Sequence, residues 1–245
     1  MVTGGASGIG RALAQRAASG GFDTVLIDID ADAVAATADE LGALALAVDV
    51  SERDAVIEAA ARVARDVGDV HLLFNNAGVF LGGPFIEMPD AHGRFLIDVN
   101  LWGVIHGMQA FLPGMIERDA GHVVNTSSVS GVVTARNSAI YNAAKHAVVG
   151  LTESVFRELE AAGSRVGISL LCPGAVATGI VNSAKHWPDR LGPCAGAARG
   201  RLLSAARRAD DPRTGRRDHV RGDRGRALLE PHASLPVRAG DARTD

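Results

Sequence analysis

A chain of 245 residues suits one α/β domain with room for an appendage, and 47% hydrophobic but only 4% aromatic content leaves Ala, Val and Leu to fill its core. The formal net charge of −3 gives no whole-chain reason to expect nucleic acid or a membrane surface as a partner. No apolar run reads as long enough to span a bilayer, and the N-terminus lacks a basic-then-apolar leader pattern, so a cytoplasmic protein is expected.

The chain opens on the end of a strand, Met1-Val2-Thr3, which runs at once into Gly4-Gly5-Ala6-Ser7-Gly8-Ile9-Gly10. A helix over residues 9–19 follows, stopped by Gly20-Gly21. Glycines at this spacing between a strand and a helix let the backbone approach a pyrophosphate, which the helix N-terminus favours electrostatically. Residues 24–27 are apolar and partly β-branched, the pattern of a buried parallel strand, and end at Asp28. About twenty positions past the glycines, Asp28 can accept hydrogen bonds from an adenosine ribose, and Asp30 is read as the N-cap of a helix over 31–41. No basic residue stands near Asp28 to neutralise the extra phosphate of NADP, so NAD is the expected cofactor and NADP the second choice.

Residues 44–48 give a third strand that ends at Asp49-Val50, with Ser51 as the cap of the next helix and Asp54 in capping-box position. Residues 70–74 form a fourth strand leading into Asn75-Asn76-Ala77-Gly78, small and amide residues that suit close packing beside a ligand or a simple turn. One long helix is expected over 89–118. Asn100 sits inside it, where asparagine is usually solvated or bonded back to the helix.

The fifth strand, from His122 to Asn125, enters a Ser/Thr/Gly-rich turn containing Ser128 and then a helix carrying Tyr141 and Lys145. Four residues apart on a helix, those two side chains share one face. A tyrosine normally titrates near ~10, and an adjacent ammonium favours the phenolate and lowers that value. Ser128, Tyr141 and Lys145 therefore make a plausible proton-transfer site, in which Tyr141 is the one tyrosine of the chain. Residues 166–171 form a sixth strand ending in Cys172-Pro173-Gly174-Ala175-Val176-Ala177-Thr178. Strands alternating with helices at this rhythm predict a Rossmann-like, doubly wound parallel sheet, its ligand site at the strands' carboxyl ends. Cys172, Cys194 and the eight histidines fall at no metal-ligand spacing, so no metal site is expected.

These features divide the chain into a dinucleotide-binding domain over 1–188 and a tail over 189–245. The tail holds thirteen arginines against eight acidic residues and lacks Ile, Lys, Asn, Phe, Tyr and Met, whose codons are AT-rich. Disorder is the expectation for it, and translation out of frame in a GC-rich gene would produce the same bias.

In combination and order, the motifs resemble the short-chain dehydrogenase/reductase family in its compact single-domain form, from Met1 to about Asn182. The resemblance implies that Gly4, Ser7, Gly8, Ile9 and Gly10 form the cofactor loop and that Asp28 marks the NAD-preferring members. It places Asp49 and Val50 at the adenine and Asn76, Ala77 and Gly78 beside the cofactor. Pro173, Gly174, Val176 and Thr178 would hold the nicotinamide carboxamide, and Tyr141 and Lys145 would also touch the cofactor. Asn100, Ser128, Tyr141 and Lys145 match the catalytic tetrad. Tyr141 would exchange the proton of a secondary alcohol or its ketone or aldehyde, Ser128 would hydrogen-bond the carbonyl oxygen, and Lys145 would depress the tyrosine and bind the ribose. Asn100 would hold a water. The resemblance also implies a small-molecule alcohol or carbonyl substrate and a homodimer or homotetramer. Against the family pattern, the first strand reads as clipped and a final strand and helix are not found after the sixth. Two other readings compete: a sugar-nucleotide epimerase, and a non-catalytic NAD-binding or inactive, frameshifted product.

Overall fold

Six parallel strands in the order β3-β2-β1-β4-β5-β6 form the centre of the molecule. The structure, a computed structural model, describes residues 1–176 and 178–194. In chain order these are β1 (Val2–Thr3), α1 (Gly8–Ser19), β2 (Val25–Asp28), α2 (Ala31–Leu41), β3 (Leu44–Ala47), α3 (Arg53–Asp66) and β4 (Leu72–Asn75). Then come α4 (Asp90–Ile97), a π-helical turn (Asp98–Trp102), α5 (Gly103–Glu117), β5 (His122–Thr126), α6 (Ala139–Ala161) and β6 (Gly167–Leu171). Two short 3-10 stretches, Gly179–His186 and Asp189–Leu191, follow β6. Residues 195–245, and with them most of the tail marked off by composition, lie outside the described residues.

The order reverses direction at β1, between β2 and β4, which is where a doubly wound sheet opens a crevice at its carboxyl edge. Short β1 is held on both sides: Val2 is in register with Leu26 of β2 and with Phe74 of β4. The strands are near-continuously apolar because helices cover both faces. On one face Val25, Ile27, Leu46, Phe95 and Leu96 cluster; beside them Leu73, Val104, Met108, Met115, Val123 and Val148 form a second cluster. Val2, Ala14, Leu26, Val34 and Ala38 form a third under α1 and α2.

The helices end where the sequence supplies partners for their free N–H and C=O groups. Asp30 caps α2, its Oδ1 accepting from Ala33 N at 3.1 Å, and Gly42 closes the same helix at φ 62°. Two expectations need correction. Glu52, not Ser51, precedes α3, and the Ser51 N–H and hydroxyl instead donate to Asp49 Oδ1 at 2.9 and 2.7 Å, a local turn that outcompetes the capping box. The expected helix over 89–118 is broken by the π turn, which has one extra residue and turns Asn100 inward. That same stretch, Asp90–Glu117, is long and apolar enough to cross a membrane by composition alone. It is a helical stretch of the core, more than half buried within the molecule.

Candidate functional site

The turn after β1 is built by steric necessity. Gly4 takes φ +64°, a left-handed conformation that a side chain disfavours. A Cβ on Gly10 would lie 2.0 Å from the Gly4 carbonyl oxygen and 2.6 Å from Asn76 Nδ2, so α1 can press onto the turn only with glycine there. Ser7 precedes α1 without capping it through its side chain, leaving the helix N–H groups directed at the cavity beyond. Thr3 fixes the neighbouring loop, its Oγ1 accepting from Asn76 N at 2.9 Å and Ala77 N at 3.0 Å. At the end of β2, Asp28 Oδ2 accepts from Ala6 N at 3.1 Å and Oδ1 from Asp30 N at 3.2 Å. The carboxylate is thereby oriented beside the turn with lone pairs to spare. This bare backbone cradle, with an oriented carboxylate at its side, fits the pyrophosphate and ribose of a dinucleotide.

At the other end of the cavity stand Ser128, Tyr141 and Lys145, with Asn100 packed behind them. Asn100 is fully buried. Its Nδ2 donates to the Val79 and Leu96 carbonyls, both at 2.9 Å, and its Oδ1 accepts from Val79 N at 3.2 Å. It ties the helix to the loop after β4, rather than being solvated. Lys145 is 2% exposed, with Nζ donating to the Thr126 carbonyl at 3.0 Å and lying 5.8 Å from the Tyr141 ring centroid. Phe80 packs edge-on against that ring at 5.1 Å. Ser128 Oγ accepts from Ser130 N at 3.1 Å and points to the Pro173 carbonyl at 3.5 Å.

Burial dominates the titration of this group. Desolvation pushes the Tyr141 phenol above its ordinary value, partly offset by the Ser128 hydroxyl. The expected downward shift of Tyr141 is thus reversed, because loss of water outweighs the Ser128 hydrogen bond and Lys145 donates to the Thr126 carbonyl rather than to the phenol. Burial lowers the Lys145 ammonium from 10.5 to about 8, partly opposed by its electrostatic interaction with Cys172.

Residues 179–186 line one side of the cavity, held by contacts that were not legible in the sequence. Ser183 Oγ accepts from Phe80 N at 2.9 Å and donates to the Ile180 carbonyl at 2.5 Å. The Trp187 ring rests on His92 and Phe95, with centroids 5.1 and 5.3 Å away. Arg190 pairs with Glu52 and Asp98, each at 3.0 Å, and donates to Ser51 Oγ at 3.1 Å. Between these anchors Lys185 Nζ stands 3.8 Å from Asp30 Oδ2. A cation does face the acidic end of β2, supplied from far along the chain.

All the expected site residues except Gly10 and Asn100 line one cavity of about 720 Å³ at the carboxyl edge of the sheet. Gly10 packs beneath the turn, and Asn100 lies behind Gly78, whose added Cβ would sit 3.0 Å from its Oδ1.

The sequence profile of the short chain dehydrogenase family matches residues 1–189. The 1-deoxy-11-beta-hydroxypentalenate dehydrogenase of Streptomyces exfoliatus is 38% identical over 189 residues, covering 74% of this chain and 68% of that protein. A short-chain dehydrogenase/reductase from Burkholderia phymatum, solved in complex with NAD, superposes with a TM-score of 0.79 at 42% identity, over 84% of this chain and 75% of the other. A metagenomic short-chain oxidoreductase in complex with NADP superposes with a TM-score of 0.67 at 36% identity, over 71% and 81%. Sheet order, glycine turn and sequence likeness agree, and the chain belongs to the short-chain dehydrogenase/reductase family.

Proposed function

We propose that the protein is an NAD-dependent oxidoreductase interconverting a secondary alcohol with its ketone or aldehyde, with Tyr141 as acid and base. The observation that carries this reading is the convergence of Tyr141, Ser128 and Lys145 on the same cavity as the glycine turn and Asp28. A bound nicotinamide dinucleotide would supply the hydride acceptor or donor. The chain's own groups manage the proton. Tyr141 holds a proton at neutral pH because burial disfavours the phenolate, which suits donation to a carbonyl oxygen. Ser128 offers a second hydroxyl where negative charge develops on that oxygen. Lys145, held by the Thr126 carbonyl, places a positive charge behind the tyrosine. Asn100 positions the loop through Val79, and a bound water there would link Lys145 to solvent.

Gly4, Ser7, Gly8 and Ile9 would hold the pyrophosphate, Asp28 the adenosine ribose, and Asp49 with Val50 the adenine. Asn76, Ala77, Gly78, Pro173, Gly174, Val176 and Thr178 would line the nicotinamide end, all of them on the cavity wall. A relative named for a hydroxylated substrate supports an alcohol as the small-molecule partner. Assembly as a homodimer or homotetramer is part of the same proposal.

Purified full-length protein should change absorbance at the reduced-nicotinamide band with a panel of secondary alcohols and ketones, and should bind NAD by calorimetry. Binding without turnover across the panel would favour a non-catalytic dinucleotide-binding protein. Absence of binding would sink the whole reading.

A further inference from the structure

The ribose end of the cavity carries an arrangement that Asp28 alone does not explain. Asp28 and Asp30 bracket the end of β2, with Asp30 Oδ1 committed to its capping bond and its Oδ2 turned to Lys185. Lys185 and His186 both line the cavity, as do Asp28 and Ile29. They are held there because Ser183 and Trp187, on either side, are anchored to Phe80 and to the His92–Phe95 surface. An ordinary surface lysine on a free loop would have no such fixed reach.

A ribose hydroxyl needs only the acceptor Asp28. A phosphate on that hydroxyl brings close to two negative charges against a carboxylate, and needs a cation within a few ångströms. We infer that Lys185 is the residue that selects between dinucleotides, supplying the cation for a 2′-phosphate beside Asp28 and Asp30, so that NADP is admitted alongside NAD. On this view the ammonium exchanges its long, half-exposed contact with Asp30 for a charge-assisted hydrogen bond to the phosphate. His186 plays the lesser part. Burial and the Lys185 charge hold its imidazole below the ordinary value against the pull of Asp28 and Asp30. The inference rests on the dinucleotide reading above.

The test is equilibrium binding of NAD and NADP to the full chain and to Lys185→Ala, Lys185→Arg and Lys185→Glu, read by calorimetry. The ratio Kd(NADP)/Kd(NAD) should rise roughly three- to tenfold in Lys185→Ala, the size expected of one partly exposed charge contact, and further in Lys185→Glu. Lys185→Arg should hold the ratio near that of the unmutated protein, and added salt should weaken NADP more than NAD. An unchanged ratio in Lys185→Ala overturns the inference, and so does equal weakening of both cofactors, which would make Lys185 a fastener of its segment only. If the unmutated protein binds neither dinucleotide, the functional reading fails first and this one with it.

Discussion

Tyr141 and Lys145 illustrate how far a side chain's role is set by its surroundings. Tyr141→Phe removes one hydroxyl from a packed ring and should keep dinucleotide binding while lowering turnover by roughly 10²–10⁴-fold, measured as kcat with the best substrate of the panel. Near-normal kcat would remove Tyr141 from the chemistry. Asp28→Ala should narrow the gap between NAD and NADP by weakening the first and relieving repulsion of the second, read as the ratio of kcat/KM values. Lys145 makes a thermodynamic prediction. Its folded pKa of about 8 lies below the unfolded 10.5, so between those values the unfolded chain binds more protons and stability rises with pH. The gain is roughly 3 kcal/mol at most, and it should show as a denaturant midpoint that climbs from pH 7 to 9.5 in the unmutated protein and stays flatter in Lys145→Met. Sequence spacing was sufficient to place Tyr141, Lys145 and Ser128 in one cavity, because helix geometry and a strand-end turn are local. The sign of the Tyr141 shift was not legible, since it depends on how much water the folded core excludes.

At the scale of elements, the sheet and its helices follow from period and punctuation: the strands are short apolar runs, and Asp30 and Gly42 mark the ends of α2 as their chemistry requires. The π turn was invisible because one extra residue leaves the apolar pattern on either side intact. Its inner residue, Asn100, joins helix to loop by two hydrogen bonds to Val79 and bonds back to Leu96 within the helix. Asn100→Ala strands the N–H and C=O of Val79 and should cost about 2–4 kcal/mol in urea unfolding. Loss below about 1 kcal/mol would show that water replaces the amide. Further along, α5 crosses β4 at Gly107, where an added Cβ would stand 2.1 Å from Asn75 Oδ1. Gly107→Ala should therefore destabilise by about 1–3 kcal/mol in spite of its better helix propensity, because moving buried Asn75 aside strains its Nδ2 bond to Asn125 Oδ1.

Across the whole molecule, two kinds of cohesion coexist. The sheet is held by apolar contact and backbone ladders; residues 179–191 combine apolar anchors, Trp187 and Leu191 on the core, with exposed ionic ones, Lys185 to Asp30 and Arg190 to Glu52 and Asp98. Reading the sequence in order could not show these pairs, because Arg190 reaches Ser51 across 139 positions and Asp98 across 92. Partly exposed ion pairs are screened within a few ångströms at ~1 M salt, whereas burial of Val, Leu and Ile is not. The medium can therefore alter the cavity without altering the fold. Stopped-flow release of NAD should accelerate between ~0.1 and ~1 M sodium chloride with the unfolding temperature nearly constant, and Arg190→Gln should already release fast at low salt. A residence time tuned by ionic strength, independent of melting, would make this wall an electrostatic governor of exchange seated on a hydrophobic chassis.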